Sequence, residues 1–357
     1  YPNDRDSILN LAQIYLDTAQ ADLALQVLQR GVEALPNDPA LQLPQAAALL
    51  QAGKTDEAQK VLDAVTPTPE FAGVVATLGA TFAAVQGDWP AVAKRCQDVP
   101  ESARSASCRL LLAAASLQQG QTDPAIAALS PPAGGAEGPA QVQTALFRVV
   151  LKALGKEARC TDDETVLAQK LTGKPDLLAK NMLGLAYREQ RMFGASVAAF
   201  ESVLPGVDGA SALLLLLADT IAKDRLGGDP AKRIEDLQAK YPTDPVPFLA
   251  VADMYKRDKE ADKEASAMER AVNIAPDNIA VLLRQAAFCE ARNDMKEAEK
   301  TYRRLLALKP DNASTKNNLA YTLLRTGGDT KEALQLATAA AEQYGGNPSV
   351  LHTLGLA

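Results

Sequence analysis

Apolar positions along this chain fall three and four residues apart, in short runs broken by Gly, Asn, Asp and Pro. Leu11, Ala12 and Tyr15 share one helical face; after a polar turn, Ala24, Leu28 and Gly31 share another. Leu35-Pro-Asn-Asp-Pro39 closes the pattern, because proline stops a helix and Asp or Asn caps the next. The set then returns. Ala12 becomes Ala46, Ala24 becomes Ala58 and Leu28 becomes Leu62, each a step of 34 residues. Toward the other end Ala252, Tyr255, Met268, Ala271 and Pro276 return as Ala286, Cys289, Tyr302, Leu305 and Pro310, again at 34. The turn phrase repeats as well: Gly53-Lys-Thr-Asp-Glu-Ala58 and Asn293-Asp-Met-Lys-Glu-Ala298 stand at the same point of their units. A fixed period of this length means stacked supersecondary units, here helix, tight turn, helix, loop.

The phase predicts about ten units. It is clearest over 5–38, 39–71, 245–278, 279–312 and 313–347, and looser over 72–105, 106–138, 177–210 and 211–244. We expect an N-terminal array over 1–138, a degenerate unit over 139–176 and a C-terminal array over 177–357. The Pro131–Pro139 loop is the best candidate hinge. Tyr1-Pro-Asn-Asp reads as the closing loop of a preceding unit and Asn347–Ala357 as the opening of a further one, so a fragment of a longer protein is expected.

These marks resemble the tetratricopeptide repeat family. Its Leu-Gly or Leu-Ala pair and following large residue read here as Leu78-Gly79 with Phe82, Leu183-Gly184 with Tyr187, and Leu319-Ala320. The resemblance implies an all-α, right-handed superhelical solenoid of helix-turn-helix units with first helices lining its inside. Counting to the inward positions gives Asn181, Leu185, Arg188, Asp219, Asp253, Lys256, Arg284, Asn317 and Tyr321 as partner contacts in a concave groove. The competing reading makes them solvated positions only. The family's clamp for a chaperone's terminal carboxylate is not expected: Lys180-Asn181 and Lys316-Asn317 lack their counterparts, and Leu216, Leu249 and Asp253 stand at the corresponding places. The last 45 or so residues also resemble, more loosely, the final repeats of long bacterial envelope proteins of exopolysaccharide secretion.

Composition narrows the function. A net charge of −7 and a pI near 5.0 argue against a nucleic-acid partner, which needs basic patches. No run is long and apolar enough to span a membrane; Asp219 and Lys223 interrupt the greasiest stretch, Leu213–Leu217. A single histidine, His352, and no Cys-x-x-Cys argue against a metal centre. No Gly-rich phosphate loop follows a strand pattern, and neither cofactor nor catalytic residues are expected. Cys289 occupies a large-residue slot and reads as an apolar filler. Cys96 and Cys108 flank the Pro100 loop, level across a helical hairpin. They are either a disulfide, which would favour a periplasmic or envelope location over a cytoplasmic one, or two separate thiols. The reading that results is a protein-interaction scaffold holding a peptide or partner protein, in a bacterial envelope or secretion assembly. The alternative is a non-catalytic segment of a larger enzyme or export machine. Oligomeric state is left open.

Overall fold

The computed structural model describes residues 4–17, 20–66, 68–129, 145–155, 160, 162–207, 210–224, 228–344 and 346–357; the Pro131–Pro139 hinge candidate lies outside them. Among the described residues there are 22 α-helices and no strand. They form two compact units, Tyr1–Arg233 and Ile234–Ala357.

In the first unit the hairpins are α1 (Arg5–Asp17) with α2 (Ala21–Ala34), α3 (Pro39–Gln51) with α4 (Thr55–Asp63), α5 (Ala72–Val85) with α6 (Trp89–Gln97), and α7 (Ala106–Gln118) with α8 (Thr122–Leu129). Next come α9 (Ala145–Ala153) with α10 (Asp162–Leu171), α11 (Pro175–Glu189) with α12 (Phe193–Glu201), the short α13 (Leu204–Val207), and α14 (Ser211–Lys223); α15 (Pro230–Lys240) follows. The second unit pairs α16 (Val246–Arg257) with α17 (Ala261–Ile274), α18 (Ile279–Ala291) with α19 (Met295–Leu308), and α20 (Ala313–Thr326) with α21 (Thr330–Tyr344), ending in α22 (Pro348–Leu356). The weakest stretch of the sequence pattern thus still holds a helical pair, α9 and α10.

Local chemistry sets the ends. Asp38, Asp88, Ser105, Asn278, Asp294, Asn312 and Asn347 each accept a backbone N–H at the start of a helix. The turn inside each hairpin needs one left-handed residue. Gly53 takes it at φ 73°, and Asn293 at φ 59° in the matching phrase. Arg191 and Lys259 hold the same conformation with a Cβ, at φ 59° and 60°.

The core follows the repeat. Ala24, Ala46, Ala58, Ala286, Ala298 and Ala320 are fully buried, with large neighbours such as Leu28 and Tyr302 filling the space beside them. Gly184 shows why these positions are small: a Cβ there would meet Phe200 Cε1 at 2.4 Å, and Phe200 is itself fully buried. Each second helix then packs on the next first helix, as α2 does on α3, α6 on α7, α17 on α18 and α19 on α20.

Two outcomes are expected. Gly184→Ala should destabilise the protein by about 1–2 kcal/mol in denaturant titration. The usual gain of roughly 1 kcal/mol from replacing a helical glycine is outweighed by overpacking of roughly 1–3 kcal/mol. Lys259→Gly should instead stabilise by about 0.5–1 kcal/mol, because relief of a left-handed Cβ exceeds the entropy glycine loses. A lower melting temperature for Lys259→Gly would contradict the strain assigned to this turn.

Candidate functional site

Position along a first helix decides which side chains can reach a partner, but neighbours decide whether they do. On α11, Leu178, Asn181, Met182 and Leu185 fall on one face by spacing, and each is no more than 2% exposed. α12 covers the Gly184 side through Phe200. The rest of α11 lies along α7, with α9 and α10 beside it. α7 packs on α11 more extensively than on its own hairpin partner α8. It is buried at every position from Ser107 to Leu117, as a helix apolar all round must be. Hydrogen bonds hold both ends of α11. Gln118 Nε2 donates to Asp176 Oδ1 at 3.0 Å; beyond the far end, Gln51 Nε2 donates to the Gln190 carbonyl at 3.1 Å and Thr81 Oγ1 to Gln190 Oε1 at 2.8 Å. Leu183, Tyr187 and Met192 join the apolar cluster that contains Leu43, Leu78 and Phe82.

This packing corrects two of the expected partner contacts. Asn181 and Leu185 are interior residues of the first unit. Asn181 Nδ2 donates to the Leu177 carbonyl at 2.9 Å, and its Oδ1 is buried with no partner, a cost of roughly 1–3 kcal/mol. Arg188 is largely covered and ion-paired with Asp219, which also binds Lys223 Nζ at 2.8 Å.

The remaining five expected residues stand in the second unit. Asp253 and Arg284 are partly exposed and paired with each other across α16 and α18; exposed pairs of this kind contribute little to stability. Lys256 is exposed. Tyr321 is half-buried; Arg325 Nη1 donates to its hydroxyl at 3.1 Å and stacks its guanidinium 5.9 Å from the ring centre. Asn317 is 9% exposed. Sequence reasoning missed the apolar members of this face. Leu283 and Leu351 are 43% and 50% exposed, at the same repeat position as Asn317, one step of 34 residues before and after it. The repeat phase held that signal.

Among the described residues no helix is long and apolar enough to cross a membrane, and no group of His, Cys, Asp and Glu could hold a metal ion. Cys289 is 4% exposed, and burial, reinforced by Asp294 and Glu297, pushes its thiol up to about 11, as suits an apolar filler. Cys96 and Cys108 are free, buried and in contact. The Cys96 thiol donates a hydrogen bond to Cys108, which raises the first and lowers the second; burial adds to the rise at Cys96, and the Arg104 and Arg109 charges favour the Cys108 thiolate.

Helical hairpins stacked through small residues, with their first helices on one face, define an α-helical repeat protein. The tetratricopeptide repeat family model matches residues 281–315, the end of α18's hairpin loop inclusive of α19, and the chain carries tetratricopeptide repeats. A TPR repeat-containing protein of Pseudomonas aeruginosa is 26% identical over 174 residues, covering 48% of this chain and 29% of that protein's length. Among solved structures, MamA is 16% identical with a TM-score of 0.36, covering 45% of this chain and 94% of that one. Yeast Tom70 is 12% identical with a TM-score of 0.37, covering 99% of this chain and 80% of its own.

Because the two thiols touch and Cys108 ionises first, mild treatment with a small disulfide oxidant should join Cys96 to Cys108. Mass spectrometry of non-reduced peptides checks this; recovery of both as free thiols after oxidation would rule the pairing out.

Proposed function

We propose that the chain is a protein-interaction scaffold and that its partner docks on the first helices of the second unit. The observation that carries this reading is the uncovered mixture on α18, α20 and α22. Leu283 and Leu351 expose apolar area, while Arg284 and Tyr321 offer directional contacts of the kind that dominate binding energy. The first unit is a poorer candidate, because Asn181 and Leu185 are already covered by the chain itself. The acidic balance fits a protein partner better than a nucleic acid. We extend the reading to a bacterial envelope or secretion assembly on the resemblance of the last 45 or so residues.

The test begins with a partner captured on the full chain and identified. Replacing Leu283 by Ser and Arg284 and Tyr321 by Ala together should weaken its binding by about tenfold or more in calorimetry, with the melting curve retained. Undiminished affinity in that folded variant would place the partner on the second helices or the loops.

A further inference from the structure

A hydrogen-bonded chain runs through the second unit from Glu290 on α18 to Asn317 on α20. Tyr302 Oη donates to Glu290 Oε1 at 3.0 Å, Asn318 Nδ2 donates to Tyr302 Oη at 3.3 Å, and Asn317 Nδ2 donates to Asn318 Oδ1 at 3.3 Å. The carboxylate at one end fixes the polarity of every link. An ionised Glu only accepts, so the Tyr302 hydroxyl must donate to it. That oxygen then takes its hydrogen from the Asn318 amide, turning Asn318 Oδ1 toward Asn317. The Asn317 NH2 fills that acceptor, and Asn317 Oδ1 is left over. It is the one atom of this chain of bonds without a partner, on a side chain nine-tenths buried. The network therefore ends on an acceptor, and whatever completes it must bring a donor.

The surroundings say what else it must bring. Leu283 and Leu351 stand at Asn317's repeat position on the helices either side, both exposed. Packed helices lie roughly 8–10 Å apart. An extended chain advances about 3.3 Å per residue, so three residues match one helix-to-helix step.

We infer that Asn317 Oδ1 receives a main-chain N–H from an extended peptide segment of the partner, with apolar side chains three residues before and after it resting on Leu283 and Leu351. This rests on the reading of that face as the docking surface and specifies its ligand. A free acid or phosphate, being an acceptor, does not complete the network.

The probe is the heptapeptide acetyl-Leu-Ser-Ser-Ala-Ser-Ser-Leu-amide, compared with the same peptide methylated on the central Ala nitrogen. Binding to the full chain is read by NMR titration, which follows weak complexes. The unmethylated peptide should bind about tenfold more tightly than the methylated one. Asn317→Leu should abolish that difference, and Leu283→Ser with Leu351→Ser should weaken both peptides. Equal binding of the two peptides to the wild-type chain, with both weakened by the leucine changes, overturns the Asn317 assignment and leaves the docking face standing. A difference that persists in Asn317→Leu, or no binding of either peptide, also overturns it.

Discussion

The close approach of two helices at a small residue is the constraint on which the structure depends. A hairpin can bury one face internally only if its helices come close, and they come close only where a side chain is nearly absent. Gly184 against Phe200 is the limiting case; Ala286 with Ala298 beside Tyr302 is the ordinary one. The remaining apolar surface must be covered by the neighbouring hairpin, so a single unit is not stable alone. This is why the pattern recurs at a nearly fixed interval: the same small and large residues must meet at each interface.

The second unit obeys this rule along the chain, each hairpin covering the last. The first unit departs from it at α7. That helix carries apolar side chains on all sides, from Cys108 to Leu117 with Arg109 the one charge among them, and one neighbour cannot cover it. Arg109 is 3% exposed and sends Nη2 to the Glu101 carbonyl at 2.6 Å, so even the charge is accommodated inside. α11 supplies the second cover. In doing so it buries the side chains that, by phase alone, would face a ligand.

Much of this was legible in the sequence. The hairpins, their turns at Gly53 and Asn293, and the burial of Ala46 and Ala286 follow from phase and from the chemistry of turns and caps. The site was legible only as a set of faces. Periodicity assigns Asn181 and Leu185 to the same helix face as Leu283 and Asn317, and it has no means of saying what lies over that face. The missing information is long-range: α11 meets α7 across some sixty residues of sequence, which no local pattern encodes. One warning was available. The unbroken apolar character of α7 signalled a helix needing cover on every side. The leucines at 283 and 351 were equally accessible, but attention to charged and amide side chains passed over them.

Polar groups in the two units show how differently one residue type behaves at one repeat position. Asn181 and Asn317 each leave Oδ1 without a partner. In the first unit the atom is sealed at 0% exposure, and its cost is a tax on the α11 packing. In the second unit the side chain lies at the edge of an open face, tied to Asn318, Tyr302 and Glu290. A bonded chain anchored on a carboxylate transmits orientation, because each group's donor is committed by the acceptor before it. The polarity at Asn317 is thus set two helices away, by Glu290. An acidic residue buried behind the face therefore shapes what the face can recognise, although it would touch no ligand itself.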